Sequence, residues 1–279
     1  MILCRRFVPL RLALPALVLS IGLAGAASTQ AAGRPLTKTK FDPDAPRIDM
    51  FDAIDQEVVS VEMLPKDAMG GNLFIENKTD ETISVKIPEG FVGVPVLAQF
   101  DDFGGGGGDN GGGGGGQNQA VGGGGGQFGG GGGGQFGGGG GGGFFSIPPE
   151  RTLRVPYVSV CLEHGKPEPR LRNRYAVRRL ESYTEDPVLQ AIVKMVGTGR
   201  VSPEIAQPAA WHVANDMSWQ ELAAKKYDRV GTADTPYFSP AQLHYAQMVV
   251  STAVGIAKEA AGDEPITAPI PPRTSRVSR

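Results

Sequence analysis

The chain has 279 residues, 40% hydrophobic and 20% charged, an ordinary globular balance apart from 42 glycines and 22 prolines. Its formal charge is -2, and beyond residue 32 there are 24 basic against 29 acidic residues, or -5, which argues against a general nucleic-acid binder. Once an N-terminal leader and a glycine tract are set aside, roughly 200 residues remain, enough for one full domain or two small ones.

Residues 1–32 read as a secretory signal peptide. Arg5, Arg6 and Arg11 flank the start of the apolar run 12–23, and small residues suited to cleavage follow near Ala26 or Ala32. The run is shorter than the roughly 20 residues of a membrane span. Cys4 precedes it, whereas a lipoprotein cysteine follows its apolar run. The pattern predicts an exported protein, periplasmic, cell-surface or extracellular, with no membrane span after cleavage.

Residues 33–55 are polar, carry Pro35, Pro43 and Pro46, and predict a flexible lead-in. Alternation begins next. In EVVSVEMLP, Val59 and Val61 share one face; Leu73 and Ile75, then Ile83, Val85 and Ile87, form two further runs of period two. The polar stretch 77–81 between those runs predicts a β-hairpin, with Asn77-Lys78-Thr79 fitting turn chemistry or a glycosylation acceptor. FVGVPVLAQF and SIPPERTLRVPYVSVCL supply more strands, and Pro95, Pro148, Pro149 and Pro156 favour edges, bends and strand starts.

An antiparallel sandwich or barrel follows more naturally from these runs than a doubly wound sheet. The expected fold class is α+β, with a small antiparallel sandwich-like module spanning 56–103 and 144–183. Between its halves lies the glycine tract 104–143. Glycines lose the most backbone entropy on ordering, so the tract is predicted to be a disordered insertion whose deletion leaves the fold intact. It lacks the lysine and hydroxyl residue of a phosphate loop. Phe128, Phe136 and Phe144 recur every eight residues, as weak cohesive points between chains or as part of a tolerated low-complexity loop.

From 184 to 262 the pattern is helical. Asp186-Pro187, Ser202-Pro203 and Ser239-Pro240 each read as a cap followed by a first-turn proline, and Ser218 with Glu221 and Ser239 with Gln242 have capping-box spacing. The residues 263–279 are proline-rich and predicted to be disordered.

Beyond the leader, Cys161 is the sole cysteine. An unpaired thiol in an oxidising compartment is a buried inert group, a disulfide to another chain, or a thiol bonded within its own chain. Gln207 and Trp211 bear on that choice. Pro208 sits poorly inside a helix begun at Pro203, so the helix kinks there or starts afresh at Gln207. In the second case the Gln207 carboxamide lies among free amides at a helix N-terminus, with Trp211 shielding the same face. The plainer reading is that Gln207 caps a helix and Trp211 packs the core.

Arg170, Arg172, Arg174, Arg178 and Arg179 form a basic cluster, read either as a solvated surface or as a site for an anionic envelope polymer. His164, His212 and His244 lack zinc-site spacing, no Gly-x-Ser-x-Gly elbow is present, and Asp216 and Glu221 lie too far round a helix to act as an acid and base pair. A Cys161 and His164 dyad is the thiol-enzyme reading. No catalytic residue, metal site or cofactor is assigned.

Two resemblances rest on these residues. Cys161-Leu162 with Gln207-x-Ala209-x-Trp211 resembles the thioester domains of bacterial surface adhesins, whose cysteine reacts with the glutamine of a Thr-Gln-x-Ala-aliphatic-Trp motif to form an electrophile that captures amines. Here Ala206 stands for the threonine, Ala210 for the aliphatic residue, and Pro208 fills the free position. The stretches VCLEHGKPEP and AQPAAWHVANDMSWQELAAKK together also resemble an uncharacterised family of exported bacterial proteins in which a β-rich part leads into this helical segment. That likeness implies a fold and no activity.

The expected function is that of a non-enzymatic exported or cell-envelope protein with a structural or binding role, its partners envelope polymers or other envelope proteins and not nucleic acid. The alternative is a surface protein whose Cys161 and Gln207 thioester attaches it covalently to amines.

Overall fold

The computed structural model describes residues 33–96, 118–125, 143–227 and 233–262. Residues 1–32, expected to be a signal peptide, the rest of the glycine tract and residues 263–279, expected to be a disordered tail, lie outside the described residues. Residues 33–55, expected to be a flexible lead-in, form a strap. Leu36 donates its N–H to Thr152 O and accepts from Arg154 N, each at 2.8 Å. Strand β1 (Arg47–Asp49) and helix α1 (Met50–Asp55) follow, with the Asp49 carboxylate accepting from Phe51 N at 2.9 Å as a cap. Met50, Phe51 and Ala53 are buried, and their hydrophobic gain holds the segment down.

Eight strands come next: β2 (Val59–Asp67), β3 (Gly70–Asn77), β4 (Ile83–Lys86), β5 (Phe91–Pro95), β6 (Val121–Gly124), β7 (Phe144–Ile147), β8 (Thr152–Cys161) and β9 (Tyr175–Arg179). Six of them close an antiparallel barrel in the order β2, β3, β8, β6, β5, β9, with Met63 opposite Tyr175 at the seam. This corrects the sandwich-like expectation, although the coarser α+β class holds. The reason is β6. Without a strand between β5 and β8 the sheet has two open edges and reads as two layers; with it the sheet closes.

Strand β6 comes from inside the glycine tract, so the expectation of one disordered insertion across 104–143 fails at 118–125. Ala120 and Val121 are 2% and 0% exposed. Close approach explains the glycines that follow. A Cβ on Gly122 would stand 2.7 Å from Val193 Cγ2, one on Gly123 2.0 Å from Val158 O, and one on Gly124 2.4 Å from Glu89 O. The wall is built where only main chain fits.

The hairpin expected across 77–81 does not form. Strand β3 pairs with β2 and β8, while β4 leaves the barrel for a three-stranded sheet with β1 (parallel) and β7 (antiparallel). Asn77, fully buried, organises the departure. Its Nδ2 donates to Glu81 O at 2.7 Å and Ile147 O at 2.9 Å, and its Oδ1 accepts from Thr79 N at 2.9 Å. This is turn chemistry, and a buried amide offers no place for a glycan.

Helices cover one outer face of the barrel. They are α2 (Leu180–Tyr183), α3 (Pro187–Gly197), α4 (Pro203–Ala214) and α5 (Trp219–Ala224), then, after the short strands β10 (Lys226–Tyr227) and β11 (Thr235–Pro236), α6 (Pro240–Gly262). Alternation along β8 divides the molecule into two cores. Val155, Tyr157 and Cys161 point into the barrel, whereas Val160 and the following Leu162 meet Ile192 and Val193 of α3 and the small residues Ala206, Ala209 and Ala210 of α4. Burying each large aliphatic chain contributes about 1.5–3 kcal/mol.

The caps read from the sequence are present at Asp186, whose Oδ1 accepts from Val188 N at 2.8 Å, and at Ser218 and Ser239, which form reciprocal boxes with Glu221 and Gln242. Ser202 makes no side-chain cap. Among the described residues no helix is long and apolar enough to cross a membrane.

Candidate functional site

Strand β8 ends at Cys161, where one of its edges loses its neighbour. On the β6 side the ladder continues, because Leu162 N donates to Ala120 O at 2.9 Å. On the β3 side the last main-chain partner is Met69 O, which accepts from Ser159 N at 2.9 Å, and the chain before β3 turns away. Cys161 N–H and C=O face that vacated edge. Gln207 takes both: its Oε1 accepts from Cys161 N at 2.8 Å and its Nε2 donates to Cys161 O at 2.9 Å, so the carboxamide replaces the missing strand.

Helix α4 presents Gln207 there because it runs through Pro208 without stopping. Of the two alternatives read from the sequence, the fresh start at Gln207 does not occur, because the helix is continuous from Pro203 to Ala214. Pro208 deprives Glu204 O of its helical donor, and Gln242 Nε2 of α6 approaches that oxygen at 3.5 Å. At the C-terminal end of α4 a second carboxamide repeats the grip. Asn215 Nδ2 donates to Leu162 O at 2.7 Å, and its Oδ1 accepts from His164 N at 2.5 Å. The exit of β8, residues 161–164, is thus clasped at two points.

The Cys161 thiol belongs to the barrel core and the residue is 1% exposed. Burial, assisted by Glu168 and Asp67, pushes the thiol up to about 12, so it stays protonated at neutral pH. Trp211, one turn after Gln207, is 3% exposed and packs edge-on to His164, with ring centroids 4.8 Å apart, and beside Tyr237 at 5.7 Å and Phe238 at 5.8 Å. Its Nε1 is buried with no hydrogen-bond partner among the described residues.

Sequence reasoning missed the residues that complete this cluster. Lys225 Nζ lies 3.0 Å from His164 Nε2, 5.0 Å from the Tyr237 ring centre and 5.5 Å from that of Trp211. Burial, then the Lys225 charge, lowers the His164 pKa and favours neutral imidazole. The Tyr237 hydroxyl donates to Glu168 Oε1 at 3.2 Å. The run of aromatics in 211–238 was the available signal, but nothing local says that they converge on Lys225.

Two of the five arginines are engaged in ion pairs within the fold. Arg179 reaches back to α1, with Nη2 at 2.9 Å from both Asp52 Oδ1 and Asp55 Oδ2 and its guanidinium 4.9 Å from the Phe51 ring centre. Arg174 pairs with Glu62 at 3.7 Å. Arg170, Arg172 and Arg178 are exposed and form no ion pair among the described residues. Arg170 and Arg172 flank Leu171, which is 72% exposed on a turn tied by Asn173.

The remaining candidates are occupied elsewhere. His212 Nδ1 lies 2.7 Å from Met217 O, His244 packs edge-on to Tyr245, and the Glu221 carboxylate serves its cap, where hydrogen bonds from Ser218 lower its pKa. An open cleft of about 580 Å³ lies between the strap and the β4–β7 pair, lined in part by Leu36, Lys38, Phe41, Asp42 and Ser146. None of the residues discussed above as functional candidates lines it. No family model, no curated protein and no solved structure matches this chain.

Proposed function

We propose that this chain is a non-catalytic exported protein of the cell envelope with a structural or binding role. The observation that carries the reading is the state of Cys161, the residue whose chemistry would make the chain reactive. Its thiol is buried and protonated, and its main chain is held by Gln207. The signal-like pattern of residues 1–32 supports export. The turn that holds out Arg170, Leu171 and Arg172 supports binding to an anionic envelope polymer, because its charges are not consumed within the described fold. Salt-sensitive retention on a polyanionic matrix tests this. Retention should fall in an Arg170→Ser, Arg172→Ser, Arg178→Ser variant, and unchanged retention would remove the arginines from the account.

A second reading is favoured by one observation, the approach of the Gln207 carboxamide to Cys161. In it the thiol sulfur attacks Gln207 Cδ, a C–S bond forms, and Nε2 leaves as ammonia carrying the thiol proton. The product is a thioester open to amines. The Nε2 to Cys161 O hydrogen bond is lost with the ammonia in that step, Oε1 remains as the thioester carbonyl, and the sulfur must leave the barrel core.

A further inference from the structure

Strand β6 is held almost entirely by its main chain. It contributes one large apolar side chain to the barrel, Val121, and pairs along both edges, Phe91 opposite Gly123 on β5 and Val121 opposite Cys161 on β8. The slot around it is narrow. Beside Val193, Val158 O and Glu89 O, Gly197 Cα of α3 would stand 2.7 Å from a Cβ on Gly124. An ordinary strand therefore cannot enter; three consecutive glycines after an apolar residue can. On either side of β6 the sequence places the long connections 97–117 and 126–142, with contour lengths of about 70 Å and about 55 Å.

From these features we infer that β6 is exchanged between copies of this chain, the Val121–Gly124 strand of one molecule completing the barrel of another. Every hydrogen bond and contact of β6 is remade in the exchanged form, so the two forms differ only in their connections. Closure entropy changes slowly with connection length. The balance is then set by chain concentration against the effective concentration within one chain, on the order of millimolar for a short tether and lower for a long one. A barrel without β6 exposes the edges of β5 and β8, a template for pairing, and the glycine-only floor selects the same segment of a second copy. The inference depends on the barrel alone and stands whether or not the chain binds an envelope polymer.

The pair Val121 and Cys161 supplies the test, because the two face each other across the ladder on the same side, where Cβ atoms are about 4.5–5.5 Å apart. Two chains of different length are prepared, both with Cys4→Ser. One carries Val121→Cys with Cys161→Ser; the other keeps Cys161. Neither can close the β6 to β8 disulfide within itself. They are denatured, mixed and refolded at increasing concentration in a glutathione redox buffer, whose oxidised form takes up the two electrons while the thiols are still reachable. A covalent heterodimer whose yield rises with chain concentration is expected. A chain with Val121→Cys alone should close the bond internally when refolded dilute. Internal closure in that chain with no heterodimer at any concentration overturns the inference. In parallel the chain with native Val121 and Cys161 is refolded over the same range and sized by light scattering. A dimer fraction that rises with concentration supports exchange, and monomer throughout overturns it whatever the cysteine pair does.

Discussion

Gln207 grips Cys161 by its main chain, accepting from the amide at 2.8 Å and donating to the carbonyl at 2.9 Å, in the place where strand β3 would otherwise continue. The residues that resemble a reactive pair are adjacent, and their observed contact is that of one β-strand with another. Gln207→Ala should leave two buried main-chain groups unpaired and cost about 2–6 kcal/mol, since each such group costs about 1–3. For a chain of this size that lowers Tm by roughly 2–4 °C per kcal/mol, read by calorimetry. Unchanged stability would mean that the clasp contributes nothing.

Gln207→Glu sharpens the same point through pH. A carboxylate still accepts from Cys161 N but repels Cys161 O, whereas the protonated acid can donate to that oxygen. Its pKa in the fold should therefore lie above the ordinary value. The acid's contribution is fully present below the unfolded pKa and is lost as pH rises through the folded one. The variant should regain stability on acidification relative to the native chain, measured as Tm against pH, and a parallel profile would contradict the donor role of Nε2.

His164 gives an independent pH signature. Its pKa is lowered by burial and by Lys225, so the unfolded chain takes up the proton first. Stability from this group is present above the ordinary value of 6.5 and is lost as pH falls through 6.5 toward the lower folded pKa. An NMR titration should place the His164 midpoint below 6.5, and Lys225→Met should move it upward. An unmoved midpoint would show that the Lys225 contact at 3.0 Å has no electrostatic consequence.

The helices were legible because their signals are local. Asp186, Ser218 and Ser239 cap amides two or three residues away, and a distance of that kind is visible in a sequence. The strand runs were legible for the same reason, but their partners were not. The polar turn at Asn77 shows where a chain bends and says nothing about which edge it meets next, so the run at Ile83 was paired with the wrong strand. Strand β6 left only Ala120 and Val121 as a trace, because glycines carry no periodicity. The adjacency of Cys161 and Gln207 was visible as a motif, yet the use of the main chain depends on where β3 stops. The contacts of Asn215 with Leu162 and of Lys225 with His164 are purely tertiary.

The glycine tract now supports a prediction opposite to the one its composition suggested. Deleting 104–143 removes β6, so the far-UV strand signal should fall and the melting transition should drop or disappear. Gly124→Ala should be strongly destabilising for a single methyl group, because Glu89 O and Gly197 Cα are main-chain atoms that cannot step aside. A fully folded deletion variant would mean that the barrel closes without this strand.

Arg179 and the Arg170 turn should separate by experiment. Arg179→Ala removes the hold on Asp52 and Asp55 and should loosen α1, detected as faster amide exchange in 50–55, with polyanion retention unchanged. Arg170→Ser with Arg172→Ser should do the reverse.

The most direct test of the account is the intact mass of the purified chain together with titration of its thiol, folded and unfolded. A buried, protonated Cys161 clasped through its main chain requires an unmodified mass and a Cys161 thiol that reacts only after unfolding. A mass short by one ammonia, restored as an adduct by methylamine and abolished by Cys161→Ala, would contradict it and establish the thioester in its place.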